Sequence, residues 1–271
     1  MKIQISPDAR PQVRTLLIAT AITLALWFIP YAEILTYPFR IFVTFIHEGG
    51  HALASLLTGN SVVSLSVHTD TSGLTQTATQ GDFISQFIIS SSGYVGAMIY
   101  GVLLLFLIRR AASARIVLIS SAAFILLLTF VFGLWKPMAN AFEPSVQLSG
   151  IPFTIAAGVL LSVGLLAIAK YASARVAAFS VSFLAVQCVL NAVIDLKNLF
   201  FLSASMGPEV HTDAVNMAKL FNILPLSMPM FWVVIWIGVS LALLSMAMRF
   251  YAISKHPPQQ QDLPFEEPLD V

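Results

Sequence analysis

Charge is what this chain has least of. Its 271 residues include 14 basic and 13 acidic side chains, 10% in all, against 58% hydrophobic residues. A soluble domain carries about 25% charged residues, so an ordinary water-soluble globule is excluded. The net charge of +1 leaves no basic excess to bind nucleic acid. Cys188 is the only cysteine, which rules out an intramolecular disulfide. The mean hydropathy of +0.86 points instead to an all-α polytopic membrane protein.

What the sequence does have is apolar runs. Seven are distinguishable, at about residues 15–34, 39–58, 83–108, 114–134, 151–169, 176–201 and 228–252. Most are near the 20 residues that cross about 30 Å of hydrocarbon as helix. They predict six or seven transmembrane helices in one domain over residues 15–252, after a short tail at 1–14. The first run follows Lys2, Arg10 and Arg14 without a small-x-small cleavage site, so it reads as an uncleaved span. Arg109, Arg110 and Arg115, then Lys170 and Arg175, then Arg249 and Lys255 follow the third, fifth and seventh runs. The positive-inside rule places these three groups, and with them the C-terminus, in the cytoplasm. The N-terminal basic residues ask for the same side, which seven full crossings do not allow: either the second run is re-entrant or the N-terminal charges lie outside. Residues 253–271 hold four prolines and three glutamines and predict a disordered tail.

Residues 59–82 differ from their surroundings. Val63, Leu65 and Val67 alternate with Ser64, Ser66 and His68, and Asp70-Thr71-Ser72-Gly73 is a turn signal. The pattern predicts a short β-hairpin. Pairs such as Ser92/Gly96 and Ala97/Gly101 predict close helix packing.

The chemistry-bearing pattern lies in the second run: Phe45-Ile46-His47-Glu48-Gly49-Gly50-His51-Ala52. On a helix, residues four apart share a face. His47 and His51 can therefore offer imidazole nitrogens to one Zn²⁺, with Glu48 beside them as a proton acceptor. An ionised glutamate within a membrane helix is costly unless a charge compensates it, and a bound metal would do so. Gly49 and Gly50 provide clearance, for another helix or for substrate. Catalytic zinc usually takes a third protein ligand. Asp195 is the only acid in the sixth run and is the first candidate; Cys188, Asn191 and Asp195 share a helical face. Asn191 could orient Asp195 or hold the oxyanion. Asp195 could instead pair with Lys197 or Lys219. His68, Asp70, His211 and Asp213 are further candidates, although Asp213 reads first as a helix N-cap region residue. Glu143, in a polar loop, reads as solvated, and His256, in the tail, as having no part in the site.

At these residues the chain resembles the site-2-protease-like intramembrane zinc metallopeptidases, in their compact branch. The resemblance rests on the His47–Gly59 segment and on Ser72-Gly73-Leu74-Thr75. Ser92-Gly93-Tyr94-Val95-Gly96, the Asn191–Asp195 helix, His211-Thr212-Asp213-Ala214 and Phe231-Trp232 add to it. It implies zinc held by His47, His51 and Asp195, with Glu48 as general base, and a membrane protein or peptide as substrate in the bilayer. The Asn191–Asp195 helix lacks the proline and glycine found in better-studied site-2 proteases. The alternatives are a zinc-stabilised scaffold or chaperone without catalysis, and an ion- or proton-coupled transporter.

Overall fold

A computed structural model describes residues 7–79, 81–110, 112–143, 146, 148–205 and 212–252. The C-terminal segment 253–271, with His256, and His211 lie outside the described residues. Every apolar run carries a helix. The order is α1 Arg10–Trp27, α2 Glu33–Leu57, strands β1 Ser61–Val67 and β2 Gly73–Ala78, and α3 Phe83–Arg109. Next, α4 Ala114–Leu127 continues through a π-helical stretch, Leu128–Trp135, into α5 Lys136–Ala139. Helices α6 Ile151–Tyr171, α7 Ala174–Ser205, α8 Asp213–Ala218 and α9 Pro229–Ala252 complete the chain. Among the described residues, five stretches are long and apolar enough to cross a membrane: Phe83–Arg109, Ala114–Ala139, Leu148–Tyr171, Ala174–Phe201 and Pro229–Tyr251.

Two boundaries differ from the sequence reading. The first run ends as helix at Trp27, ahead of Pro30. The second helix begins at Glu33 rather than near residue 39, because it runs through Pro38. Proline there removes one hydrogen bond, to the carbonyl four residues earlier, and the rest of the helix is kept. His47 is thus 14 residues, about 21 Å, along α2 rather than close to its start.

Helix α3 is the centre of the packing, with α2, α7 and α9 against it. Small residues set these approaches. A Cβ on Gly50 would collide with the Ser92 carbonyl, so α2 and α3 touch backbone to backbone. A Cβ on Gly101 would lie 2.9 Å from Val189 and 3.1 Å from the Cys188 side chain, so α3 also packs closely on α7, there against side chains. Gly49 faces Phe124 and Leu128 of the α4 rod. The clearance given by Gly49 and Gly50 is therefore taken up by helices. The core joins Phe42 and Phe45 of α2, Met98 and Leu104 of α3, and Leu118 and Ile125 of α4.

The hairpin forms as expected, antiparallel, with Leu65 opposite Thr75 and Val67 opposite Gly73. A bulge lies between Val62 and Ser64. Ser64 and Ser66 are buried along with Leu65 and Val67, since β1 is covered on both faces. The alternation in β1 thus sets its pairing more than a wet and a dry side. The turn closes through Asp70, whose carboxylate accepts from the Ser72 backbone at 2.9 Å and from its hydroxyl at 2.6 Å. These two bonds hold the Asp70 carboxyl below the usual carboxylate range.

Candidate metal centre

The one-turn spacing of His47 and His51 brings their Nε2 atoms to 3.2 Å from each other. Asp213, the first residue of α8, places Oδ2 3.3 Å from His47 Nε2 and 3.2 Å from His51 Nε2. The three atoms form a nearly equilateral triangle. Ligand atoms of a tetrahedral zinc site with bonds of about 2.0 Å lie about 3.3 Å apart, so the donor set fits that ion.

The surroundings fix how these groups point. His51 Nδ1 donates to the Ile89 carbonyl at 2.7 Å, while Ser92 Oγ sits 3.3 Å from the same nitrogen. With its proton on Nδ1, neutral His51 turns a bare lone pair at Nε2 toward the Asp213 carboxylate. Two acceptors facing each other at 3.2 Å need a proton or a metal ion between them. His47 is held edge-to-face by Tyr94, with ring centres 4.6 Å apart, and Trp236 stacks on Tyr94 at 5.5 Å. Gly93 completes the cradle: a Cβ there would collide with Nε2 of both histidines.

Glu48 is 4% exposed and lies on the hairpin side of the centre. Its Oε2 accepts from the Thr75 hydroxyl at 2.7 Å. A Cβ on Gly73 would lie 2.5 Å from Oε1, so only glycine leaves room for this carboxylate. Gly73 thus has a different use from the turn the sequence suggested. The residue with positive φ is Thr71, at +71°. A β-branched residue there stores strain on the order of 1–3 kcal/mol. Helix α2 restrains it: Tyr37 donates to the Thr69 carbonyl at 2.8 Å, Thr44 to the Thr71 carbonyl at 2.7 Å, and Arg40 to the Thr71 hydroxyl at 2.9 Å.

His47, Glu48, His51, Gly73, Thr75, Tyr94, Asp195 and Asp213 all line one cavity of about 870 Å³. That volume suits a ligand-sized occupant. Asp195 is on its wall with Asn198 and Lys219, but the carboxylate grouped with the two histidines is that of Asp213. Asn191 is not among the lining residues. Its amide donates back along α7 to the Gln187 carbonyl at 2.9 Å and to Gln187 Oε1 at 3.0 Å. Gln187 in turn donates to Thr23 of α1, at 3.0 Å. Asn191 therefore belongs to a polar ladder joining α1 to α7. Cys188 is fully buried against Gly101. His68 rests near Ser66, 3.4 Å away. Glu143 is exposed. The N-cap of α8 is Thr212, whose hydroxyl accepts from Val215, and this leaves the Asp213 side chain for the centre.

Apolar helices surround a half-buried His–His–Asp group beside a buried glutamate, an arrangement in keeping with a multi-pass membrane metallopeptidase in general form. The Peptidase M50B-like family matches residues 16–140 and 150–247, and the chain belongs to that family. It is a family of zinc-dependent membrane peptidases. Neither a curated protein nor a solved structure matches the chain.

Proposed function

We propose that the protein hydrolyses peptide bonds in or near the membrane, with zinc held by His47, His51 and Asp213 and with Glu48 as general base. The observation that carries this reading is the triangle of two Nε2 atoms and one Oδ2, with edges of 3.2–3.3 Å, beside a buried glutamate. That triangle supports Asp213 as the third ligand in place of Asp195. Bound zinc lowers the pKa of water toward about 7 and polarises a carbonyl. Glu48 accepts the proton of the attacking water and passes it to the leaving amine. Asp195, Asn198 and Lys219 give the cavity a polar wall that water and a peptide backbone can use. A helical substrate hides its peptide bonds and must be extended to react. Strand β2 has β1 on one side, and Gly73, Leu74, Thr75 and Thr77 line the cavity. An extended substrate can pair along that strand.

The test is metal analysis and peptide hydrolysis on the purified protein in detergent, alongside Glu48→Gln. Wild type is expected to hold one zinc per chain and to cleave. Glu48→Gln is expected to keep the zinc and lose about 10²- to 10⁴-fold in kcat. Wild type without metal, even after zinc is added back, sinks the reading. A Glu48→Gln protein that retains its function with zinc bound moves the protein to the scaffold class.

A further inference from the structure

Glu48 and the hairpin are linked in both directions. Helix α2 holds the turn at residues 69–71 through Tyr37, Arg40 and Thr44. From that turn β2 runs back across α2 and brings Thr75 over the carboxylate. Thr75 Oγ1 lies 2.7 Å from Glu48 Oε2 and 3.1 Å from the Glu48 carbonyl. Its strand partner Leu65 is 1% exposed, so the register that sets Thr75 is anchored in the core. Gly73, two residues earlier on the same strand face, has no side chain and so leaves Oε1 the space it occupies. One carboxylate oxygen is therefore held by the Thr75 hydroxyl, and the other lies against Gly73.

Building on the peptidase reading, we propose that Thr75 is a positioning residue for the general base. Its hydroxyl fixes the Glu48 carboxylate through Oε2, so that Oε1 meets the proton in transit. The hairpin is then a working part of the base as well as a strand for substrate to pair with. The effect belongs to the chemical step, because Thr75 bonds to Glu48 and its loss leaves the metal ligands in place.

Thr75→Val keeps the size and strand preference of threonine and removes the hydroxyl. The expected result is a loss of about 10- to 100-fold in kcat, the usual range for losing a partner that orients an active-site group. KM and the zinc content stay unchanged. Thr75→Ser restores most of the lost kcat. Thr75→Ala, which also lacks the hydroxyl, matches the Val variant and serves where a methyl in place of the hydroxyl crowds the carboxylate. The proposal is overturned if kcat stays within about twofold of wild type in Thr75→Val, or if Thr75→Ser loses as much as Thr75→Val. A change confined to KM overturns it too. A second readout needs no activity: thermal unfolding of wild type, Thr75→Val, Glu48→Ala and the double variant. Thr75→Val is expected to lower Tm less in the Glu48→Ala background than alone, and additive shifts overturn the contact. If wild type cleaves nothing, the peptidase reading fails by itself, and this cycle still decides whether Thr75 holds Glu48.

Discussion

Asp195 and Asp213 look into the same cavity from different kinds of structure. Asp195 lies on α7, a 32-residue helix whose polar groups Asn191 and Gln187 are engaged with each other and with α1. Asp213 opens α8, a six-residue helix between two membrane-length ones, and reaches both histidines. The acid within the apolar run is the costlier one to place in a membrane, yet the acid on the short helix completes the donor triangle. A short element outside the spans can be positioned by packing without being bound to a membrane helix's direction. Here Ala214 and Met217 of α8 are buried with Trp232 and Trp236 of α9. The largest expected effect breaks this pair apart. Asp213→Ala, like His47→Ala and His51→Ala, should take the protein from one zinc per chain to none, with hydrolysis falling to background. Asp195→Ala should keep the zinc. Metal analysis of the four variants decides it, and zinc lost with Asp195→Ala but kept with Asp213→Ala would reverse the assignment.

The two glycines of α3 sharpen the same contrast on a single helix. Gly93 faces the imidazoles, and Gly101 faces Val189 and Cys188 two turns further on. Gly93→Ala is expected to weaken zinc binding about 10- to 100-fold by pushing the ligands apart. Gly101→Ala overpacks a core contact and is expected to cost about 1–3 kcal/mol in stability with zinc affinity unchanged. Competition against a chelator and thermal unfolding separate the two. Equal effects on zinc would mean that the centre is no more sensitive than the general packing.

What was legible in the sequence was what is local. His47 and His51 share a face because helical geometry puts residues four apart together, and the hairpin follows from alternation and the Asp70–Ser72 turn. The helices follow from apolar runs long enough to span a bilayer. Asp213 ranked behind Asp195 because its proximity to His47 depends on how α8 folds back over α2 and α3, and no spacing encodes that. Thr212 was the available signal: a threonine at that position can cap the helix and leave the next acid free. Gly73 was read as a turn residue because glycine favours turns. Its use is clearance for a carboxylate 25 positions earlier in the chain. Asn191 was attractive for lying one turn before Asp195, but its partner, Gln187, is one turn before it again on the same helix.

A smaller effect is expected on the wall of the cavity. Asp195→Asn keeps size and polarity, and it removes a carboxylate on the cavity wall outside the His47–His51–Asp213 group. Hydrolysis should change by less than about tenfold, chiefly in KM, as for a group that touches substrate more than the reacting atoms. A loss in kcat as large as that of Glu48→Gln would give Asp195 a part in the chemistry and weaken the contrast with Asp213.

The smallest effect lies in the turn itself, and its pH dependence has a definite sign. The Ser72 hydroxyl and N–H hold the Asp70 carboxyl below its ordinary value. A carboxyl with a lower pKa folded than unfolded stabilises the fold above the ordinary value of about 3.9. That contribution is lost as pH falls through the lowered value. Asp70 is exposed, so solvent screening keeps it under about 1 kcal/mol. Hydrogen exchange at the Ser72 amide should therefore show the same protection at pH 7 and pH 5, after correction for the intrinsic rate, and lose part of it below about pH 4. Asp70→Asn retains an acceptor without the charge and should abolish that loss. If protection falls already between pH 7 and pH 5, a group other than Asp70 governs the turn, and the hold of α2 on Thr71 becomes the first place to look.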